Sequence, residues 1–134
     1  MNLLCTACTP GTGILSGYCY AAFSNPLNWI NAEANCRTLG AELLKIESVD
    51  ENDFIKTNFL TFAGPSGKTY WIGLSDLETE GTWKWTDGSL LTDSDYVNWA
   101  HHNPNGGRSQ NCGEIVMGNF AKQYFDAEWN DFMP

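Results

Sequence analysis

The sequence predicts an α+β fold, with two helices early in the chain and then short antiparallel strands around a long loop region. Segments 28–39 and 48–59 place apolar side chains at helical spacing. Short runs rich in β-branched and aromatic residues, such as 70–74, follow them. Residues 87–111 are rich in Asp, Asn, Gly and Ser, and a loop of this length is uncommon unless it binds something.

Local patterns justify each element in chain order. In the first helix Trp29, Ala32 and Cys36 recur on one face, and Gly40 follows as a stop. The second helix opens at Ser48, where the sequence Ser-Val-Asp-Glu forms a capping box. Turn residues bound strands predicted at 18–23, 43–46, 70–74, 82–86, 112–117 and 124–129.

Composition narrows the class of protein. The 134 residues correspond to one domain, 1–134, and carry a net charge of −9 with only seven Lys plus Arg. Nucleic acids and anionic membranes need basic patches, so neither is an expected partner. No apolar run reaches the roughly 18 residues of a membrane span, so no membrane insertion is expected. The acidity suits cation binding, but solubility is the more common explanation.

Five cysteines, Cys5, Cys8, Cys19, Cys36 and Cys112, indicate a disulfide framework and a secreted, extracellular protein. An odd number leaves at least one sulfur unpaired or bonded outside the chain. A rival interpretation treats Cys5 and Cys8 as half of a zinc site or as a redox pair. A second CxxC motif and a nearby βαβ pattern, which that interpretation needs, are both lacking. Residues 1–4 are too short and uncharged for a secretory signal, which would lie outside this chain.

Oxygen-bearing side chains flank a proline in the segment Asn103-Pro104-Asn105, and Asn130 and Asp131 follow after a predicted strand. Hard cations such as Ca²⁺ take about six to eight oxygens from carboxylates, amide carbonyls and water. A proline, which can adopt a cis peptide bond, can hold its two neighbours pointing the same way. These residues therefore predict a cation-binding loop.

Motifs along nearly the whole chain resemble the long form of the C-type lectin-like domain. They are the Cys8/Cys19 spacing, the helix Trp29–Gly40 with Cys36, Glu51-Asn52-Asp53-Phe54, Trp71-Ile72-Gly73-Leu74, Trp85-Thr86-Asp87-Gly88, Cys112-Gly113-Glu114-Ile115 and Trp129-Asn130-Asp131. The resemblance implies two helices flanking small antiparallel sheets, with a long loop region that carries the binding site.

The same resemblance implies the disulfide pattern. Cys8 and Cys19 match the disulfide of the family's N-terminal hairpin. Cys36 and Cys112 should bond two cysteines that the family carries after the Trp-Asn-Asp motif, so their partners are expected beyond Pro134. The C-terminal end of the domain, including the last strand that normally pairs with the first, is therefore expected to be incomplete. Cys5 is left as the odd cysteine, available to bond another subunit of an oligomer.

The resemblance also implies a ligand set for one Ca²⁺ and two adjacent sugar hydroxyls. The matching positions are Asn103, Asn105, Gln110, Asn130 and Asp131. The Asn-Pro-Asn sequence is neither the mannose-type Glu-Pro-Asn nor the galactose-type Gln-Pro-Asp. Only Asp131 brings a formal charge, so weak Ca²⁺ affinity is expected.

A second, accessory Ca²⁺ site of some family members would use Asp76 and Glu80. Its other acidic ligands would fall near Gly106 and Asn111, which carry no charge. The alternative is that both carboxylates are simply solvated loop residues.

Two functions remain open. The first is a secreted, Ca²⁺-dependent lectin that recognises adjacent hydroxyls of glycans or glycoproteins. The alternative is a Ca²⁺-independent module that binds protein or serves as a structural or matrix subunit. An enzyme is not expected, because no Ser-His-Asp or Cys-His arrangement is apparent. A hydrolytic zinc site would need more than the adjacent pair His101 and His102, whose side chains should diverge.

Overall fold

The structure is a computed structural model that describes residues 2–6, 13–15, 17–24, 26–60, 68–117 and 127–134. The described elements, in chain order, are β1 Asn2–Thr6, β2 Gly13–Leu15, β3 Tyr18–Phe23, α1 Trp29–Thr38, β4 Glu42–Leu43, α2 Val49–Ile55, β5 Lys68–Ser75, β6 Lys84–Trp85, β7 Cys112–Met117 and β8 Glu128–Phe132. A π-helical segment, Lys56–Leu60, continues α2, and a 3₁₀ turn covers Gly107–Ser109. None of the described helices is long and apolar enough to cross a bilayer.

Both predicted helices are present, and each begins at the cap residue that its sequence indicates. The Asn28 side chain accepts a hydrogen bond from the backbone N–H of Asn31 at 2.9 Å, and α1 ends before Gly40, which has a φ of +69°. The Ser48 hydroxyl accepts one from the N–H of Glu51 at 3.1 Å.

The described strands form one sheet in the order β2-β3-β1-β5-β7-β8, with β4 paired to β1 and β6 paired to β5. Its pairings are antiparallel except for β1 with β5, which run parallel. The α+β class is confirmed. The strand expected at 43–46 is limited to Glu42–Leu43. The last strand is shifted to Glu128–Phe132, and residues 124–126 lie outside the described part of the chain.

Strand β1 has no counterpart among the predicted elements, and it corrects the disulfide assignment. Cys5 lies opposite Ala21 of β3 and Leu43 of β4, and it bonds Cys36 of α1 with a Cα–Cα distance of 5.6 Å. The expectation that the partner of Cys36 lies beyond Pro134 is therefore wrong. So is the expectation that Cys5 is available to another subunit, because it is buried and already bonded. The physical reason is that the backbone pairing of β1 with β3 and β4 places Cys5 next to α1. Cys5 and Cys36 are 31 residues apart in sequence, so the sequence does not reveal this contact.

The other cysteines are less fully defined. Cys19 is disulfide-bonded, but Cys8 lies outside the described residues, so their pairing stays a prediction. Cys112 is a buried free thiol in the described part of the chain. A bond to a cysteine beyond Pro134 stays a prediction for that residue.

Two buried clusters hold the fold together. The larger lies between the sheet and α2 and includes Leu74, Trp85 and Trp129. The smaller lies beneath α1 and brings Trp71 and Cys112 together with the Cys5–Cys36 disulfide. These clusters place the long loop region beside β8, because Trp99 packs against the ring of Trp129 with 5.8 Å between the ring centroids.

Candidate functional site

The long loop is fastened to β8 by backbone hydrogen bonds on both sides of Trp99. The N–H of Trp129 donates to the carbonyl of Asn98 at 2.8 Å, and the N–H of Ala100 donates to the carbonyl of Trp129 at 2.8 Å. The residues that follow Ala100 are therefore carried next to Asn130 and Asp131. The sequence alone could place these groups together only by resemblance.

The peptide bond between Asn103 and Pro104 is cis. The N–H of Asn103 donates to the carbonyl of Ala100 at 2.9 Å, which anchors the start of the loop. Asn103 Oδ1 is buried and accepts no hydrogen bond from the described residues. A buried acceptor that receives no hydrogen bond destabilises the folded protein, so this oxygen is suited to accept a hydrogen bond from a ligand or to bind a cation.

Asp131 closes the loop onto β8. Its carboxylate is only 1% exposed. The N–H of Asn105 lies 3.0 Å from each of its oxygens, and the N–H of Gly106 donates to Oδ2 at 2.7 Å. Hydrogen bonds to an ionised acceptor are stronger than neutral ones, so this contact is a main determinant of the loop position.

Asn130 faces a different partner. Its Nδ2 donates to Oε1 of Glu114 on the neighbouring strand β7 at 2.8 Å, and the two side chains are 7% and 4% exposed. Burial raises the pKa of Glu114 to about 7, against the lowering effect of its hydrogen bonds with Asn130 and Thr69. Its second oxygen, Oε2, has no hydrogen-bond partner among the described residues.

Gln110 folds back onto the loop at Gly106. A Cβ added to Gly106 would lie 2.2 Å from Oε1 of Gln110, so only glycine fits there. The structure therefore brings Asn105, Gln110 and Asp131 together through Gly106. The amide nitrogen of Asn130, in contrast, points toward Glu114.

The donor set is chemically suited to Ca²⁺, although weakly. Amide and carboxylate oxygens are the ligands this ion takes, and the unpartnered Asn103 Oδ1 is one such oxygen. Asp131 already accepts two backbone N–H groups, and an ionised carboxylate has about four acceptor positions, so some capacity remains. No cluster of three or more His, Cys, Asp or Glu side chains that could hold a metal occurs within the described ranges. Ca²⁺ binding at these residues therefore stays a prediction.

The family model for the Lectin C-type domain matches residues 25–132. The chain belongs to the C-type lectin family. The predicted resemblance is thereby confirmed.

Relatives of known sequence or structure give the same family. The chain is 33% identical over 128 residues to C-type lectin domain family 4 member M of Hylobates lar, covering 96% of this chain and 29% of that protein. It is 31% identical to the cow carbohydrate-recognition domain of CD23, with a TM-score of 0.73 over 95% of this chain and 86% of that one. A calcium-independent type II antifreeze protein is 29% identical, with a TM-score of 0.73 over 96% and 86% of the two chains. The chain thus spans less than a third of the first relative, so that protein's other properties do not transfer.

The accessory positions Asp76 and Glu80 of this C-type lectin domain converge on the side chain of Asn111. Nδ2 of Asn111 donates to Oδ1 of Asp76 at 2.9 Å and to Oε2 of Glu80 at 3.3 Å. Asp76 also accepts the N–H of Gly81 at 2.8 Å and is 3% exposed, so a solvated Asp76 is ruled out, whereas Glu80 is exposed. An amide donor thus supplies the positive dipole that a cation would bring to these two carboxylates.

The two histidines before the site do not diverge as expected. Both are exposed, and their rings lie 3.7 Å apart at an interplanar angle of 37°. The left-handed backbone of His102, with φ of +67°, turns the chain so that the two rings face each other.

Sequence reasoning missed two contributors, the backbone N–H of Gly106 and the side chain of Glu114 as the partner of Asn130. The Gly106-Gly107 pair signals a close backbone approach. Glu114 is the one charged residue of β7, a strand whose six residues are all buried, and a buried charged residue indicates a paired or functional group.

Proposed function

We propose that this C-type lectin domain binds carbohydrate at the surface formed by loop 103–110 and by Asn130 and Asp131 of β8. The single observation that carries the proposal is the hydrogen bonding of Asp131 to the N–H groups of Asn105 and Gly106. That contact holds the amide-rich loop against the strand that carries the other proposed ligands. Glycans or glycoproteins are the proposed partners, in keeping with the lectin family of the chain.

The side chains of the loop are suited to sugar hydroxyls. A hydroxyl both donates and accepts, and the amides of Asn103, Asn105 and Gln110 offer an NH₂ donor beside a carbonyl acceptor. Asn105 is exposed, so its amide is accessible to a ligand. The proposed Ca²⁺ would be held by Asn103, Asn105, Gln110, Asn130 and Asp131. When bound, it would supply a positive charge that attracts two hydroxyl oxygens of the sugar.

Calorimetric titration with Ca²⁺, repeated in the presence of mannose and then galactose, tests this proposal. Saturable Ca²⁺ binding that one sugar strengthens is the expected result. The Asn105→Ala variant should weaken it, because it removes the side-chain oxygen and leaves the backbone N–H that holds Asp131. Asp93→Ala, in an exposed position of the preceding loop, is the matched control. Absence of sugar binding with and without Ca²⁺ would contradict the proposal.

A Ca²⁺-independent module that binds protein or forms a structural subunit is the second candidate. The observation that favours it is that both oxygens of Asp131, the only carboxylate of the proposed ligand set, already accept backbone N–H groups of the loop. The similarity to a calcium-independent antifreeze protein supports it as well. Melting temperatures that are equal in Ca²⁺ and in a chelator, together with no sugar binding, would select this candidate.

We also propose that the protein is secreted and acts outside the cell. The Cys5–Cys36 disulfide supports this location, since such bonds persist where thiols are not kept reduced. Localisation of the full-length natural protein by immunostaining of intact, unpermeabilised cells and of culture medium tests it. A purely cytosolic signal would contradict it.

A further inference from the structure

A second concave surface lies apart from the loop and strand that form the proposed lectin site. This β3–β4 cleft is lined by, among others, Tyr18, Tyr20, Arg37, Glu42, Lys45 and Glu51, and its volume is about 890 Å³. Ligand pockets of proteins typically measure about 300–1,000 Å³. None of the residues lining the cleft belongs to loop 103–110 or to β8.

Hydrogen bonds hold the polar groups of the cleft in place. The hydroxyl of Tyr20, a buried side chain, donates to Oε1 of Glu51 at 2.7 Å. The other oxygen of Glu51 accepts the backbone N–H of Glu47 at 2.8 Å. These contacts fix a carboxylate with remaining lone pairs, so it can accept hydrogen bonds from a ligand without reorganising.

Carboxylates outnumber cationic groups on the cleft, which carries Arg37 and Lys45 against Glu42, Glu47, Glu51 and Asp87. Lys45 lies 2.9 Å from the carboxylate of Asp87 and 3.0 Å from that of Glu47. Arg37 is paired with Glu33 at 2.7 Å, and this contact leaves most of the five N–H donors of its guanidinium available. An anionic ligand would be repelled by this excess of carboxylates, whereas a neutral polar ligand can use both the remaining donors of Arg37 and the acceptor oxygens of Glu42 and Glu51.

An aromatic ring lies at the edge of the cleft. Tyr18 is 61% exposed, the largest value among the exposed large hydrophobic side chains of the described residues. A pyranose has one face of C–H groups and a rim of hydroxyls. The C–H face can pack on the negative face of an aromatic ring, and the rim can meet planar carboxylate and guanidinium groups.

We propose that the β3–β4 cleft is a binding site for a neutral saccharide of about two sugar units. Tyr18 stacks on one pyranose, while Glu42, Arg37 and Glu51 hydrogen-bond the hydroxyls. This site is independent of Ca²⁺ and of the loop 103–110, so it stands whether or not the proposed lectin site binds sugar. A longer glycan or two linked glycans that reach both sites would bind with increased avidity.

Amide chemical-shift perturbation of the full 134-residue chain tests this proposal. Lactose and mannobiose are titrated to millimolar concentrations in the presence of a chelator, so that any Ca²⁺-dependent binding is silent. The Asp131→Ala variant serves as a second background in which the loop site is disabled. The expected result is a saturable shift of the amides of Gly40, Glu42 and Ser48, without change at Gly106 or Asn130.

Variants then assign the contact. Tyr18→Ala should weaken saccharide binding about tenfold, which corresponds to about 1.4 kcal/mol, and Tyr18→Phe should retain it. Ile30→Ala, an exposed side chain that does not line the cleft, is the matched control and should leave binding unchanged. Glu42→Gln, which preserves shape, should weaken binding without altering the melting temperature.

Three outcomes would overturn the proposal. The first is a set of shifts confined to residues 103–110 and 128–132. The second is a response of the cleft to a dilysine peptide and to neither disaccharide, which would make the cleft a site for basic peptides. The third is no shift with any probe at millimolar concentration.

Discussion

The carboxylate of Asp131 lies 3.0 Å from the backbone nitrogen of Asn105 through each of its two oxygens. A residue of the last described strand thereby holds the residue that follows the cis proline of the loop. The same carboxylate also accepts the N–H of Gly106. The only acidic side chain of the proposed primary site therefore has a structural role before any ligand binds.

Replacement of Asp131 by Asn should open the loop. An asparagine offers one acceptor oxygen and turns an NH₂ group toward the N–H groups of Asn105 and Gly106. Losing charge-assisted bonds in a buried place should lower the free energy of unfolding by about 1–3 kcal/mol. Urea denaturation measures this change, and hydrogen exchange at the two amides reports the loop directly. Asp93→Asn is the exposed control, and unchanged exchange in Asp131→Asn would contradict the assigned role.

Stability should fall as the pH rises because of Glu114. Its pKa is raised from 4.5 to about 7 in the folded protein by burial, so between these values the folded state binds more protons than the unfolded state. The stabilisation is complete below about pH 4.5 and is lost as the pH rises to about 7, with a total of roughly 3 kcal/mol. Denaturation at a series of pH values measures it.

The Glu114→Gln variant supplies the check on that assignment. Glutamine can still accept a hydrogen bond from Asn130, but it does not ionise. The pH dependence between about 4.5 and 7 should flatten, and the variant should be more stable than the parent at pH 8. Glu42→Gln changes an exposed carboxylate and should leave the profile as it is. An identical profile in the parent and in Glu114→Gln would assign the effect elsewhere.

Removal of the Cys5–Cys36 disulfide should destabilise the domain strongly. The double variant Cys5→Ala and Cys36→Ala should lose about 2–5 kcal/mol, because the bond ties β1 to α1 across 31 residues. The parent protein should run as a monomer on a non-reducing gel. A covalent dimer that disappears in Cys5→Ala would show instead that Cys5 bonds another subunit.

The thiol of Cys112 should be unreactive in the native protein. It is fully buried, and burial raises its pKa to about 12, so little thiolate forms at neutral pH. A colorimetric thiol reagent should react slowly in buffer and rapidly in urea. The Cys112→Ala variant isolates the signal by difference. Rapid reaction of the native parent, absent in that variant, would contradict this burial.

The sequence was sufficient to predict most of the residues of the candidate site. It was not sufficient to predict which of those residues contact one another. The pattern around Pro104 and the pair Asn130-Asp131 indicated an oxygen-rich site, because donor types are visible in a sequence. The partner of Asn130 was not predictable, since Glu114 reaches it only through the pairing of β7 with β8. The burial of Asp76 depends in the same way on Asn111, which is 35 residues distant.

The sequence by itself determined the α+β class, the two capped helices α1 and α2 and most of the strands. These features depend on side-chain periodicity and on caps within a few residues, which are local properties of the chain. Only the tertiary structure decided that β1 inserts between β3 and β5, that Cys5 bonds Cys36, and that Asp131 holds the loop. Each of these three features depends on contacts between segments that are far apart in sequence and buried together. The free energy of such contacts depends on the packing of the entire domain and not on local sequence.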